Sequence, residues 1–154
     1  MLIAAAIILN GFLAGGNIDR ALVQMPAWRK IGAQGWAAYS RYADLGNGLF
    51  LYPTLAIGGA VLTIAAAASF QFDITAPASA AVPIYLSVAL VLGGLLATVK
   101  AAPIMMSLRR IGDEASALQK ALDGFRRWGN VRGAFQILAF LANLWALLAV
   151  LAYV

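Results

Sequence analysis

Asn10, Asn17 and Gln24 recur at seven-residue intervals in an apolar opening, MLIAAAIILNGFLAGGNIDRALVQ, with Asp19 and Arg20 among them. Seven residues is close to two helical turns, so the three amides share a face, and Arg20 lies near it. Asn47 and Thr54 repeat the spacing, as do Arg132, Gln136 and Asn143 further on, and Lys100 adds a charge to a third apolar segment. Lipid penalises such groups on the outside of a helix, so the stripes are expected to meet inside a bundle. Two readings compete. Amides bonding between helices are worth roughly 0.6–2 kcal/mol each and can serve as glue alone. Charged groups among them point instead to a pocket. A cluster of Arg132, Lys100, Arg20 and Asp19 is expected beside a cavity, with Lys100 or Asp19 as base and Arg132 or Arg20 holding an anionic oxygen. Asp19 and Asp44 are the nearest counter-charges for Arg20, Lys100 and Arg132. Asn17, Gln24 and Gln136 would contribute polar contacts, and Trp28, Trp36 and Trp128 can stack on an aromatic ligand. Tryptophan also favours membrane interfaces whatever the function.

Other chemistry is excluded by residue type. The chain has no histidine and no cysteine. Zinc sites, histidine-ligated haem, thiol redox and histidine-based triads are therefore ruled out, and neither a metal nor a cofactor is expected. The six carboxylates are scattered apart from Asp113-Glu114, and no glycine-rich phosphate loop stands in the right context.

The elements that must carry these residues follow from composition. The chain is 63% hydrophobic and 11% charged, with a mean hydropathy of +0.85, which predicts a single all-α membrane domain over residues 1–154. Four apolar segments, about 2–23, 49–70, 82–108 and 133–154, are each long enough to span roughly 30 Å as a helix. A four-transmembrane-helix bundle in the inner (plasma) membrane is expected, its N-terminus a retained helix. Basic residues crowd the first and third connections, whereas the QFDITAPASA turn carries only Asp73. The positive-inside bias then puts both termini and that turn on the non-cytoplasmic side. The net charge of +5 reflects this bias and attraction to membrane lipid, with no nucleic-acid meaning.

Both basic connections are expected to be helical, as short interfacial helices or as continuations of the spans. Trp28, Ile31, Gly35, Tyr39 and Tyr42 would form one face of the first, and Leu118, Leu122 and Phe125 one face of the second, with Asp113 as its cap. "RKIG" at Arg29–Gly32 and "RRIG" at Arg109–Gly112, each after a proline and before a Gly-Asn pair, suggest a weak parallel repeat of two halves. Lys100 lies nine residues before Arg109, about 13 Å deeper along a straight helix. Pro103 deprives the Val99 carbonyl of its helical donor.

The stretches "GFLAGGNIDRALVQMPAW", "KAAPIMMSLRRI" and "GFRRWGNVRGAFQILAFLANLWALL" resemble the DUF1772, or anthrone-oxygenase-like, small membrane proteins. Gly15, Pro26, Pro103, Trp128 and Arg132 carry the resemblance, and Asn130 stands where that family commonly has histidine. The resemblance implies a four-span fold and an oxygenase that oxidises an anthrone without metal or flavin. A small hydrophobic aromatic ligand is the matching partner. The other class is a non-catalytic membrane subunit or homo-oligomer, for which Gly11 and Gly15 and the pairs Gly58-Gly59 and Gly93-Gly94 would supply close-packing surfaces.

Overall fold

A computed structural model describes residues 2–153; Met1 and Val154, the ends of the expected domain and of its fourth span, lie outside the described residues. Five α-helices follow in order: α1 (Leu2–Asp19), α2 (Met25–Tyr42), α3 (Gly48–Phe72), α4 (Ala81–Ser107) and α5 (Ala115–Leu151). No strand occurs among the described residues. Three runs are long and apolar enough to cross a membrane: Leu2–Phe72, Ala78–Ser107 and Ala115–Leu151. The first run contains both the first and second expected spans. Its helices follow one another directly, joined by two five-residue π-helical stretches, Arg20–Gln24 and Ala43–Asn47, and the chain breaks direction at Gly32 and Gly46, whose φ/ψ angles are not helical.

Neighbouring helices run antiparallel. Asn10 of α1 donates to Thr63 of α3 at 3.2 Å, while Arg20 at the end of α1 meets Asp44 just before α3. The α1 residue Asn17 reaches Gln136 of α5. Small residues let the backbones close up. A Cβ added at Gly93 of α4 would sit 2.6 Å from the Phe135 ring of α5, one at Gly59 would meet Asn10, and one at Gly58 would meet Leu9. These glycines are thus used inside the chain. Gly15 meets nothing. Mid-bundle, Thr63 accepts from both Asn10 and Asn143, a three-helix polar contact of the glue type.

The second connection takes the second of the two expected forms. It is no separate interfacial helix but the first half of α5, which runs unbroken for 37 residues, about 55 Å. Nothing interrupts it, since it contains no proline. The expected face Leu118, Leu122 and Phe125 is buried, as spacing implied. Asp113 does not cap it. Glu114 holds the N-cap position without a side-chain capping bond, and Asp113 instead pairs with Arg41 at 3.0 Å. Arg41 also donates to the carbonyls of Leu108 at 3.1 Å and Ile111 at 2.8 Å. It thereby satisfies acceptors left free where α4 ends.

The first connection is helical, but its buried face is another one. Trp28 is buried, yet Ile31, Tyr39 and Tyr42 are exposed, and the inward residues are Ala33, Trp36, Ala37 and Ser40. Gly32 explains the difference. Its φ of 78° and ψ of 173° interrupt α2 and reset the helical phase. This conformation is essentially restricted to glycine. Beyond it α2 packs on the first half of α5. Met25, Trp28, Trp36, Leu108, Leu118 and Phe125 belong to one apolar core, a cap over the ends of α1 and α4. The equivalent Gly112 of "RRIG" lies in the bend between α4 and α5, so both copies of the motif sit at breaks. On the opposite side, the Asp73 carboxylate accepts from the N–H and hydroxyl of Thr75, which holds its pKa below the ordinary carboxylate value.

Candidate functional site

Arg20 opens one π-helical stretch and Asp44 lies in the other. Such extra-residue turns are common at functional sites, because they displace a side chain from the regular helical phase. Here both groups turn inward: Arg20 is 9% and Asp44 5% exposed, and they form an ion pair. The Arg20 guanidinium also lies over the rings of Tyr52, Phe125 and Trp28, at 5.4, 5.5 and 5.7 Å from the centroids. Arg132, one helix away on α5, lies over the same Phe125 ring at 5.9 Å. Aromatic faces attract desolvated cations, by about 2 kcal/mol in buried cases.

The balance of charge is incomplete. Two guanidinium groups, Arg20 and Arg132, share this enclosure with one carboxylate, Asp44. Among the described residues no carboxylate pairs with Arg132, its buried Nε has no acceptor, and the Oδ2 of Asp44 has no donor. Beside them Asn17 donates to the Gln136 side-chain oxygen at 2.6 Å and to the Leu13 carbonyl at 2.6 Å.

All five side chains line a cavity of about 780 Å³. That lies within the roughly 300–1,000 Å³ of small-molecule sites. Its other walls are mostly apolar, including Leu13, Leu55, Leu95 and Met105. The cavity lies behind the first turns of α3, between α1 and α4, with α5 at its charged end. Among the described residues, no group of three histidine, cysteine, aspartate or glutamate side chains could hold a metal ion.

Asn17, Arg20, Arg132 and Gln136, four of the residues expected at a site, are brought together here. Lys100 and Asp19, the expected catalytic groups, are not. The α4 wall consists of Leu95, Thr98, Val99, Ala102, Met105 and Met106, a three-and-four spacing that leaves Lys100 on another face, where it is exposed. Asp19 precedes Arg20 and so points about 100° away around the helix; it is exposed and accepts from Gln24 at 2.6 Å. The expected cluster is therefore corrected. Asp44, the other candidate counter-charge, takes the place of Asp19, and no lysine takes part. Gln24 does not line the cavity. Trp28 touches Arg20 from the cap, Trp36 is enclosed in the cap core, and Trp128 stands outside the lining. Tyr52 and Phe125 were not singled out for the site. Phe125 was legible only as part of an apolar stripe, and Tyr52 carried no spacing signal. No family model, curated protein or solved structure matches the chain.

Proposed function

We propose that this chain is an integral membrane protein, crossing the bilayer four times with α1, α3, α4 and the second half of α5, whose cavity binds a small hydrophobic anion. A flat aromatic phenolate, enolate or carboxylate fits the walls. The observation that carries this reading is Arg132, a cation that lines a mostly apolar cavity and, among the described residues, has no carboxylate of its own. A desolvated arginine without a paired carboxylate is costly to bury, and a bound anion would offset that cost. Composition and the antiparallel apolar helices support insertion. The basic cap supports a cytoplasmic position for α2, with both termini on the other side of the inner membrane. A cysteine placed at Ser79 should then react with an impermeant reagent from the outside of intact cells, and labelling from the cytoplasm alone would reverse the assignment.

The ligand is tested with 9-anthracenecarboxylate, a fluorescent flat acid, on purified protein in lipid nanodiscs. Arg132→Gln should weaken binding about tenfold to a hundredfold, from roughly 1.5–3 kcal/mol for a hydrogen bond to a charged group. Lys100→Met should leave binding unchanged. Equal affinity in wild type and Arg132→Gln would refute the site. The same arrangement supports the cofactor-independent oxygenase implied by the anthrone-oxygenase-like resemblance only as far as binding. Arg132 can hold an electron-rich phenolate, but the one carboxylate in the lining is already engaged by Arg20. The internal use of Gly58, Gly59 and Gly93 favours the ligand-binding reading over a subunit built for helix association.

A further inference from the structure

The cavity is closed towards the cap and open to the side. Over its charged end lie Phe125 and Trp28, backed by Trp36, Leu108 and Leu118, all 4% exposed or less. No route for a ligand passes through this core. Between α3 and α4 the situation is the reverse. The two helices are joined towards one end by the packing of Ala60 and Val91 and of Phe70 against Tyr85. They are tied again at the other end, where Arg109 donates to the Leu45 carbonyl at 3.3 Å. Between these ties both 48–57 and 95–106 contribute residues to the cavity wall. Val99 and Met106 belong to that lining, yet they are 65% and 49% exposed, so the cavity wall is also outer surface. Pro53 and Pro103 sit in these two stretches, and each removes a helical donor, from the carbonyls of Leu49 and Val99 respectively.

We infer that the occupant is a single-tailed acid whose head sits at Arg132 and whose apolar tail leaves sideways between α3 and α4 into the bilayer. This deepens the proposed function and rests on it. One head charge matches the one lining guanidinium that, among the described residues, has no carboxylate. An open apolar side costs a tail nothing in a membrane, because lipid chains are as apolar as the walls they replace. In water the same opening would leave the ligand half exposed.

The test compares 9-anthracenecarboxylate with 4-hexadecyloxybenzoate, a tailed aromatic acid, as its competitor in nanodiscs, each counted per mole in the lipid phase. In wild type the tailed acid should displace the fluorescent one with an affinity within about threefold of that of tail-less 4-methoxybenzoate, since the tail passes from lipid to lipid-like surroundings. Val99→Trp and Ala102→Trp narrow the opening. Each should weaken the tailed acid about tenfold more than it weakens the tail-less acids, as expected when a bulky ring overfills the wall along the path of the tail. Val99 is largely exposed, so its variant is expected to fold even where Ala102→Trp does not. Exclusion of the tailed acid from wild type would overturn the inference, and so would equal effects of Val99→Trp on tailed and tail-less acids. Both outcomes leave the anion site standing. Indifference of every acid to Arg132→Gln would instead remove the proposed function itself.

Discussion

Asp44→Asn is expected to destabilise the purified protein by about 3–5 kcal/mol, the usual consequence of removing one partner from a buried ion pair. The substitution keeps the shape and removes the charge. Arg20 then loses its only carboxylate among the described residues, and it shares the Phe125 ring with Arg132, which has none. Two positive groups are left in one apolar enclosure. Thermal unfolding in a mild detergent measures the loss. A bound acid should stabilise Asp44→Asn more than wild type, because it replaces part of the missing negative charge and binds only the folded state. The double variant Arg20→Gln/Asp44→Asn should recover much of the stability, since neither charge remains to be buried alone. An Asp44→Asn protein with an unchanged unfolding midpoint would show that the pair is solvated and the cluster an ordinary surface feature.

Helix locations were legible because apolar length and the absence of strand alternation leave few alternatives. The bounds of α3 and α4 differ from the expected segments by one or two residues. The approach of Asn17 to Gln136 was legible for a related reason: seven-residue spacing places amides on one face, and apolar surroundings oblige them to find each other. What was not legible depends on backbone detail. Gly32 adopts a conformation that no hydrophobic pattern reports, and a single such residue moved the buried face of α2 from Tyr39 and Tyr42 to Ala33, Trp36 and Ala37. The π-helical stretches did the same for charge. Adjacency already turned Asp19 away from Arg20, but no hydrophobic pattern turned Asp44 inward; the irregular turns at Arg20–Gln24 and Ala43–Asn47, the latter kinked at Gly46, bring Arg20 and Asp44 together. Lys100 stood out because charges in apolar segments usually serve a purpose. Its position five residues beyond Leu95 nonetheless puts it off the lining face, a distinction visible only once that face is known.

Trp36→Ala should cost about 3–5 kcal/mol, the range for emptying a fully buried large aromatic site. Trp36 is completely buried, with its ring 6.3 Å from that of Trp28 and 5.9 Å from that of Phe125. Trp36→Phe should be far milder, because it keeps most of the ring and also removes an indole N–H that has no acceptor. The comparison also tests whether cap and cavity are one mechanical unit. Trp36 does not line the cavity, but Phe125 does, and Phe125 carries both guanidinium groups on its face. A void behind that ring lets it retreat from Arg20 and Arg132, so Trp36→Ala should weaken 9-anthracenecarboxylate binding several-fold, while Trp36→Phe keeps both stability and binding near wild type. Loss of stability with full retention of binding would mean that the cap merely covers the site and that the two arginines are positioned from α1 and α5 alone.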